Sequence, residues 1–237
     1  MARSTSKNRL VKNIFTKLAL YYDSMEKSLH WNKGEAWRQK AIELAQINKA
    51  SRILDLCTGT GSMAVQLSQH LGATSQIVAI DICKEMLNIA KKRVSKLNLN
   101  RRIECKLENA EIMPFPDEFF DVVYIAFGMR FVSDVQSVLE EIYRVLRSQG
   151  KLIILELTNP KQVRMQKYTK FIREQWLPLK YRIKYRLSPI FTHYLHDSLV
   201  YYPTSEKFKE ILINNRFSEV KCEYLNRRLA TIHVARK

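Results

Sequence analysis

From residue 52 onward the chain alternates between two hydrophobic rhythms. Short continuous apolar runs bounded by turn residues read as strands buried on both faces. Stretches with apolar residues three and four apart read as amphipathic helices. The pattern predicts strands at 52–57, 76–81, 103–107, 121–126 and 151–157. Helices follow over 63–71, 85–96 and 134–146, the last stopped by Ser148-Gln149-Gly150. After a break in rhythm come a helix at 204–215 and strands at 220–225 and 229–235, antiparallel to one another. Ahead of the first strand, residues 9–47 carry helical spacing. Phe15, Leu18, Ala19 and Tyr22 share one face, Tyr22-Asp23-Ser24-Met25 reads as a break, and Trp37-Arg38 begins a second helix. Alternating strands and helices predict an α/β fold: a doubly wound, Rossmann-like sheet of seven strands, mostly parallel, with helices on both faces. The expected organisation is one domain over 1–237, made of a helical lid (1–48), a cofactor-binding core (49–158), an insertion (159–203) and a closing helix with a strand pair (204–237).

The most informative stretch is Ile53-Leu54-Asp55-Leu56-Cys57-Thr58-Gly59-Thr60-Gly61. A buried strand ends in an acid and enters a glycine turn that opens a helix, the first unit of a nucleotide-binding α/β domain. A dinucleotide fingerprint wants glycine at 57, 59 and 62, where this chain has Cys57, Gly59 and Ser62. The pattern instead resembles the first motif of class I methyltransferases, which bind S-adenosyl-L-methionine, a cofactor without phosphate. Asp81 lies 20 residues beyond Gly61, at the end of the second strand. A carboxylate there accepts hydrogen bonds from ribose hydroxyls. Ile82 and Met86 are placed to flank the adenine, and Asn109 with the Ala110 backbone to meet its edge. Ala126 ends the fourth strand, and Phe127-Gly128-Met129-Arg130 stands at its carboxyl end, where open α/β sheets bind ligands. Asp55, Gly59, Thr60, Gly61, Asp81, Ile82, Met86, Asn109, Ala110 and Ala126 are therefore the candidate cofactor-binding residues. The N-terminal arm is equally placed to be a lid over the cofactor or a helix that only packs.

Composition narrows the setting. The 237 residues are 46% hydrophobic, enough for a full core, and carry a formal net charge of +17. A basic surplus of this size implies an anionic partner. Over 160–203, Lys161, Arg164, Lys167, Lys170 and Arg173 recur at steps of three, with Met165, Tyr168, Phe171, Ile172 and Trp176 interleaved. Lys180, Arg182, Lys184 and Arg186 extend the series. Basic residues among aromatics read first as membrane-surface contact, then as a plain solvated face, then as a nucleic-acid patch. No run is long enough for a transmembrane helix and no apolar leader opens the chain, so the expected location is the cytoplasm, peripheral at the inner membrane, or a plastid surface. Cysteines 57, 83, 105 and 222 are scattered without metal-ligand spacing and read as reduced core thiols; no metal is expected.

A second set of residues carries a fuller resemblance. Phe15, Tyr22-Asp23-x-Met25, Trp37-Arg38, the glycine turn, Asn109-Ala110-Glu111 with Pro114-Phe115-x-Asp117, and Phe119-Phe120-Asp121 belong to it. So do Phe127-Gly128-Met129-Arg130-Phe131-Val132, Tyr143-Arg144-Val145-Leu146, Leu155-Glu156, Tyr194-Leu195-x-Asp197-Ser198 and His233. Together, over about 10–237, they resemble the ubiquinone/menaquinone biosynthesis C-methyltransferase family. The Phe-Gly-x-Arg-x-Val segment is its most specific part. Phe131 stands where that family usually has Asn, Asp197 for Glu, Arg228 for a small residue and Ala235 for glycine.

The resemblance implies methyl transfer from S-adenosyl-L-methionine to a ring carbon of a polyprenylated quinol, a demethylmenaquinol or its phylloquinone equivalent, with the ubiquinone-type benzoquinol as the alternative. The nucleophile is a ring carbon ortho to a phenol, so the enzyme must take up or stabilise the phenol charge. Arg130 is the expected phenolate holder. Tyr22, Asp23 and Asp197 are expected to remove the proton or orient the ring; His233 is a weaker candidate, and His193 and His196 have no support. A soluble phenol or an RNA substrate on the same fold are the rival readings. Monomer and homodimer both remain open.

Overall fold

The computed structural model describes residues 2–30, 32–47, 52–72, 74–158 and 189–237. The expected basic series over 161–186 lies outside the described residues. Helix α1 spans Ala2–Leu18, and a 3₁₀ turn at Ala19–Tyr21 leads into α2, Tyr22–Leu29. Tyr22-Asp23-Ser24-Met25, expected as a break, is therefore the first turn of a helix; it holds no glycine or proline, and Asp23 suits a helix N-terminus. Helix α3 runs Gly34–Ala45, one turn earlier than Trp37-Arg38 suggested.

The core alternates as expected: β1 Arg52–Leu56, α4 Ser62–His70, β2 Gln76–Asp81, α5 Lys84–Lys96, β3 Ile103–Leu107 and β4 Phe120–Ala126. A second 3₁₀ turn follows at Met129–Phe131, then α6 Val135–Val145, β5 Leu146–Leu157, α7 Pro189–Val200, α8 Ser205–Asn214, β6 Ser218–Leu225 and β7 Ala230–Arg236. Ser148-Gln149-Gly150, read as a helix stop, lies inside β5. The strand starts at Leu146, opposite Phe120, and its register jumps so that Lys151 next pairs with Val122. An irregularity of this kind absorbs the polar residues without ending the strand.

The seven strands lie in the order β3-β2-β1-β4-β5-β7-β6. Neighbours from β3 to β5 are parallel, and β7 runs antiparallel to both β5 and β6. This is the mixed α/β sheet that the alternation predicts. Each face carries its own core. Leu54, Leu56, Val123, Ile125 and Ile154 meet α6 and α8 on one side; Ile53, Tyr124, Ile153 and Ile232 meet α3 and α4 on the other. The chain turns from β1 toward β2 and β3 in one direction and from β4 toward β5 in the other. The switch point between β1 and β4 is where such sheets open a crevice at their carboxyl ends.

Candidate active site

The glycine turn sits at that switch point. Cys57, Gly59 and Gly61 all adopt left-handed backbone angles, with φ of 58°, 57° and 80°. Cys57 thus holds a conformation that glycine takes without strain. A side chain on Gly61 would put its Cβ 3.0 Å from that of Ala90, and one on Gly128 would lie 2.5 Å from the Cys57 Cβ. The two loops after β1 and β4 therefore touch through a glycine. Asp81 stitches the turn to its own loop: the Gly59 N–H donates to Oδ2 at 2.8 Å and the Cys83 N–H to Oδ1 at 2.8 Å. The buried Asp55 accepts from the Thr58 hydroxyl. Burial pushes Asp55 up to about 7, against the opposing pull of Thr58 and Arg38, and pushes Asp81 upward as well.

Around this turn lies a partly open cavity lined by the loops after β1, β2, β3 and β4. Asp55, Gly59 and Thr60 form its floor. Asp81, Ile82 and Met86 line one side, Asn109 and Ala110 a second, and Ala126, Phe127 and Gly128 a third. Asn8, Val11, Phe15 and Tyr22 of the N-terminal arm also line it, so the arm borders the cavity. A paired carboxylate tip, apolar flanks and an amide at the far wall suit a nucleoside with an apolar, sulfur-bearing extension, as expected for S-adenosyl-L-methionine. Arg38 also lines the cavity; its guanidinium pairs with the buried Glu26 carboxylate and lies 5.3 Å from the centre of the Phe127 ring.

A second buried ion pair flanks the cavity. Arg130, in the 3₁₀ turn after β4, pairs with Glu156 near the end of β5, both nearly inaccessible. Its guanidinium lies 4.4 Å from the centre of the Phe131 ring, which in turn packs 4.9 Å from Phe15 and 6.2 Å from Tyr194. Tyr22 lies in the fields of both Arg130 and Arg38, yet burial dominates and raises its phenol above the ordinary value.

A model of the "ubiE/COQ5 methyltransferase family" matches residues 3–237. This chain belongs to the ubiE/COQ5 methyltransferase family. It is 31% identical, over the whole of both chains, to a "Ubiquinone/menaquinone biosynthesis C-methyltransferase UbiE" of Geotalea uraniireducens. It is 30% identical to a "Demethylmenaquinone methyltransferase" of Porphyromonas gingivalis, over 98% of this chain and 94% of that one. A "UbiE" protein of Rickettsia typhi is 34% identical, over 98% and 94%. Among solved structures, a putative S-adenosyl-L-methionine-dependent methyltransferase of Methanococcus maripaludis superposes with a TM-score of 0.66 at 22% identity, covering 94% of this chain and 93% of that one. That likeness shares the class I fold.

In this methyltransferase the expected cofactor residues converge, except that Gly61 serves by close packing on Ala90 behind the turn rather than by lining the cavity. Among the four expected catalytic residues, only Tyr22 lines it. Asp23 turns away: it accepts from the Thr60 hydroxyl at 2.6 Å and pairs with Arg93 of α5. Arg130 is committed to Glu156. Asp197 is exposed on α7, 3.2 Å from His196. His233 is buried, with Nε2 3.0 Å from the Ser205 carbonyl, a packed histidine of the closing strand. Sequence reasoning gave no site role to Arg38, Glu156 or His30. The buried His30 ring stacks 3.9 Å from Phe127, and burial pushes it down to about 3. A charged residue beside Trp37 on an apolar helix face was the available sign for Arg38; Glu156 showed as an acid ending an otherwise apolar strand.

Proposed function

We propose that this methyltransferase adds a methyl group to the ring of a polyprenylated demethylnaphthoquinol, giving a menaquinol or its phylloquinone equivalent. The observation that carries the reading is the junction at Tyr22 and Phe131, where the cofactor cavity adjoins the buried Arg130–Glu156 pair and Tyr194 stacks on Phe131. The names of the full-length relatives support it, and they include both naphthoquinone and ubiquinone chemistry. The ubiquinone-type ring is therefore the second reading.

S-adenosyl-L-methionine is the cofactor and supplies an electrophilic methyl group when bound. The side chains that would hold it are Asp81 toward ribose hydroxyls, Ile82 and Met86 beside the base, and Asn109 with Ala110 at its edge. The protein must then make a ring carbon nucleophilic. Fixed positive charge beside a phenol oxygen favours the phenolate and pushes electron density onto the ortho carbon. Arg130, locked by Glu156, supplies that charge. Tyr22, with its phenol raised, stays neutral near pH 7 and donates a hydrogen bond that orients the ring. The roof formed by α1 and α2 excludes water from the reacting atoms.

The deciding experiment presents demethylmenaquinol, demethylphylloquinol and a demethoxylated benzoquinol in liposomes, under reducing conditions, with labelled S-adenosyl-L-methionine. Label in a naphthoquinol alone supports the proposal; label in the benzoquinol alone transfers it to the second reading. If no lipid is labelled while the cofactor binds, the quinone reading falls, leaving soluble phenols and RNA.

A further inference from the structure

The Arg130–Glu156 pair has a guard of unsatisfied polar atoms. Glu156 is fully buried and fully engaged: the Arg130 guanidinium and the Leu157 N–H (2.8 Å) both donate to Oε1, and the Arg130 N–H lies 3.4 Å from Oε2. Arg130 Nε, the Tyr194 hydroxyl and the Tyr202 hydroxyl are each sealed from solvent with no hydrogen-bond partner among the described residues. Arg130 and Tyr194 share the Phe131 ring, the guanidinium 4.4 Å and the tyrosine ring 6.2 Å from its centre, and Tyr202, in the bend after α7, lies in the fields of both Glu156 and Arg130. Helix α7 packs on the Arg130 turn, and Tyr194 stacks on Phe131. Phe131 lines the cofactor cavity with its other neighbours, so it is the shared wall between cofactor and cluster. Burying hydrogen-bonding atoms unpaired is costly, and a group of them at one spot calls for a partner such as an ordered water or a ligand.

We propose that Arg130 Nε and the hydroxyls of Tyr194 and Tyr202 form the subsite for the ring oxygens of the substrate, with Glu156 as the positioning residue that aims Arg130. This deepens the reading above and rests on it for the identity of the substrate. A quinol offers two oxygens on opposite ends of a flat ring. Donors from three separate segments — the turn after β4, α7 and the bend after it — suit such a ring, whereas a single phenol would leave one side unmet. The aromatic walls, Phe131 and Phe208 (5.4 Å from Tyr202), suit its faces.

The test uses the full chain with Tyr194→Phe, Tyr202→Phe, Glu156→Gln and Glu156→Asp. Each Phe variant removes one oxygen and keeps the ring, so folding is preserved. Each is expected to raise the KM for the quinol about tenfold, the value of one hydrogen bond, with the KM for S-adenosyl-L-methionine unchanged and the melting temperature of the ligand-free protein equal to the wild type's or higher. Glu156→Gln is expected to lower kcat about a hundredfold at an unchanged cofactor KM, and Glu156→Asp to restore part of it. A parallel rise in cofactor KM, no change in quinol KM in either Phe variant, or no recovery in Glu156→Asp overturns the proposal. Anaerobic binding of 1,4-dihydroxynaphthalene, followed by protein fluorescence, separates the two ideas. If it weakens in the Phe variants while no quinol is methylated by the wild type, the diol subsite stands and the methyl-transfer reading falls. If quinols are methylated but binding is unaltered in the variants, the subsite falls alone.

Discussion

Gly128 has an ordinary backbone angle, yet it is the least replaceable glycine near the cavity. Its would-be Cβ lies 2.5 Å from the Cys57 Cβ, closer than real Cβ contacts come, so one of the two loops would have to shift. Gly128→Ala is expected to destabilise the fold by about 1–3 kcal/mol, the usual cost of overpacking, and to lower the melting temperature by several degrees. Cys57→Gly suits the left-handed angle of Cys57 and removes the clashing atom, so the double variant should recover most of the loss in the same melt. Independent, additive effects would show that the contact is not the cause. His30 gives a second test at this scale. Its folded value is depressed from 6.5 to about 3 because burial disfavours the imidazolium and the Arg130 charge opposes it. Glu26 lies 3.5 Å from Nδ1, but its carboxylate is committed to Arg38 and does not rescue the cation. The unfolded chain binds the proton more readily, so stability from this group is present above about 6.5 and is lost as pH falls toward 3. The slope is at most about 1.4 kcal/mol per pH unit. Urea titrations at several pH values in this window should show a shallower acid slope in His30→Asn than in the wild type; equal slopes would place the loss elsewhere.

At the scale of elements, the arm is a roof with a latch. Asp23 joins the first turn of α2 to the glycine turn through Thr60 and to α5 through Arg93, while Phe15 and Val11 pack on Met86 and Phe131. Asp23 is partly exposed, so solvent screens the pair and the latch is worth about 1 kcal/mol or less. Asp23→Asn should therefore raise the cofactor KM up to about fivefold, quicken amide exchange in 2–29 and leave kcat within about threefold. A proton acceptor at this position would instead lose kcat by orders of magnitude at unchanged KM, and the two outcomes do not overlap. The latch also marks where sequence reading stops. The glycine turn, Asp81 and the alternation of strands with helices follow from local rhythm, because a buried strand, a turn and a helix each leave their signature within a dozen residues. The direction of Asp23 depends on Arg93, and the occupancy of Arg130 on Glu156, and neither pairing has a local signature. The same limit produced the misplaced break at Tyr22, where the following helix is held by packing of Met25 rather than by any capping side chain. Ser148-Gln149-Gly150 looked like a stop because polar residues with glycine usually are one; here the register shift against β4 carries them within a strand.

At the scale of the molecule, the question is how a protein with a +17 formal charge meets a substrate with a hydrocarbon tail. No helix among the described residues is long and apolar enough to cross a membrane. Large apolar side chains nonetheless stand exposed at the elbow between α1 and α2, where Leu20 is 85% exposed, and just beyond α7, where Tyr201 is 82% exposed. Both flank elements that enclose the Tyr22 and Tyr194 side of the site. A polyprenyl quinol reaches that side without leaving the bilayer if the basic surface holds the protein against anionic headgroups, each cation near the surface being worth about 1 kcal/mol. Sedimentation with vesicles containing anionic lipid should recover the protein, neutral vesicles should not, and raising the salt to about 0.5 M should release it, since charges a Debye length apart are then screened. Replacing Lys167, Lys170, Arg173 and Lys180 by Gln removes about 4 kcal/mol of attraction by that measure, so partitioning should fall by up to roughly a thousandfold. Activity on a quinol in anionic liposomes should fall with it, while activity on a short-chain quinol in detergent, which needs no membrane surface, should persist. Steep salt-dependent binding to RNA with no vesicle binding would assign the charge to nucleic acid instead. Indifference to both would make it a solvated face, and the tail would then have to reach the site by a route that the basic residues do not serve.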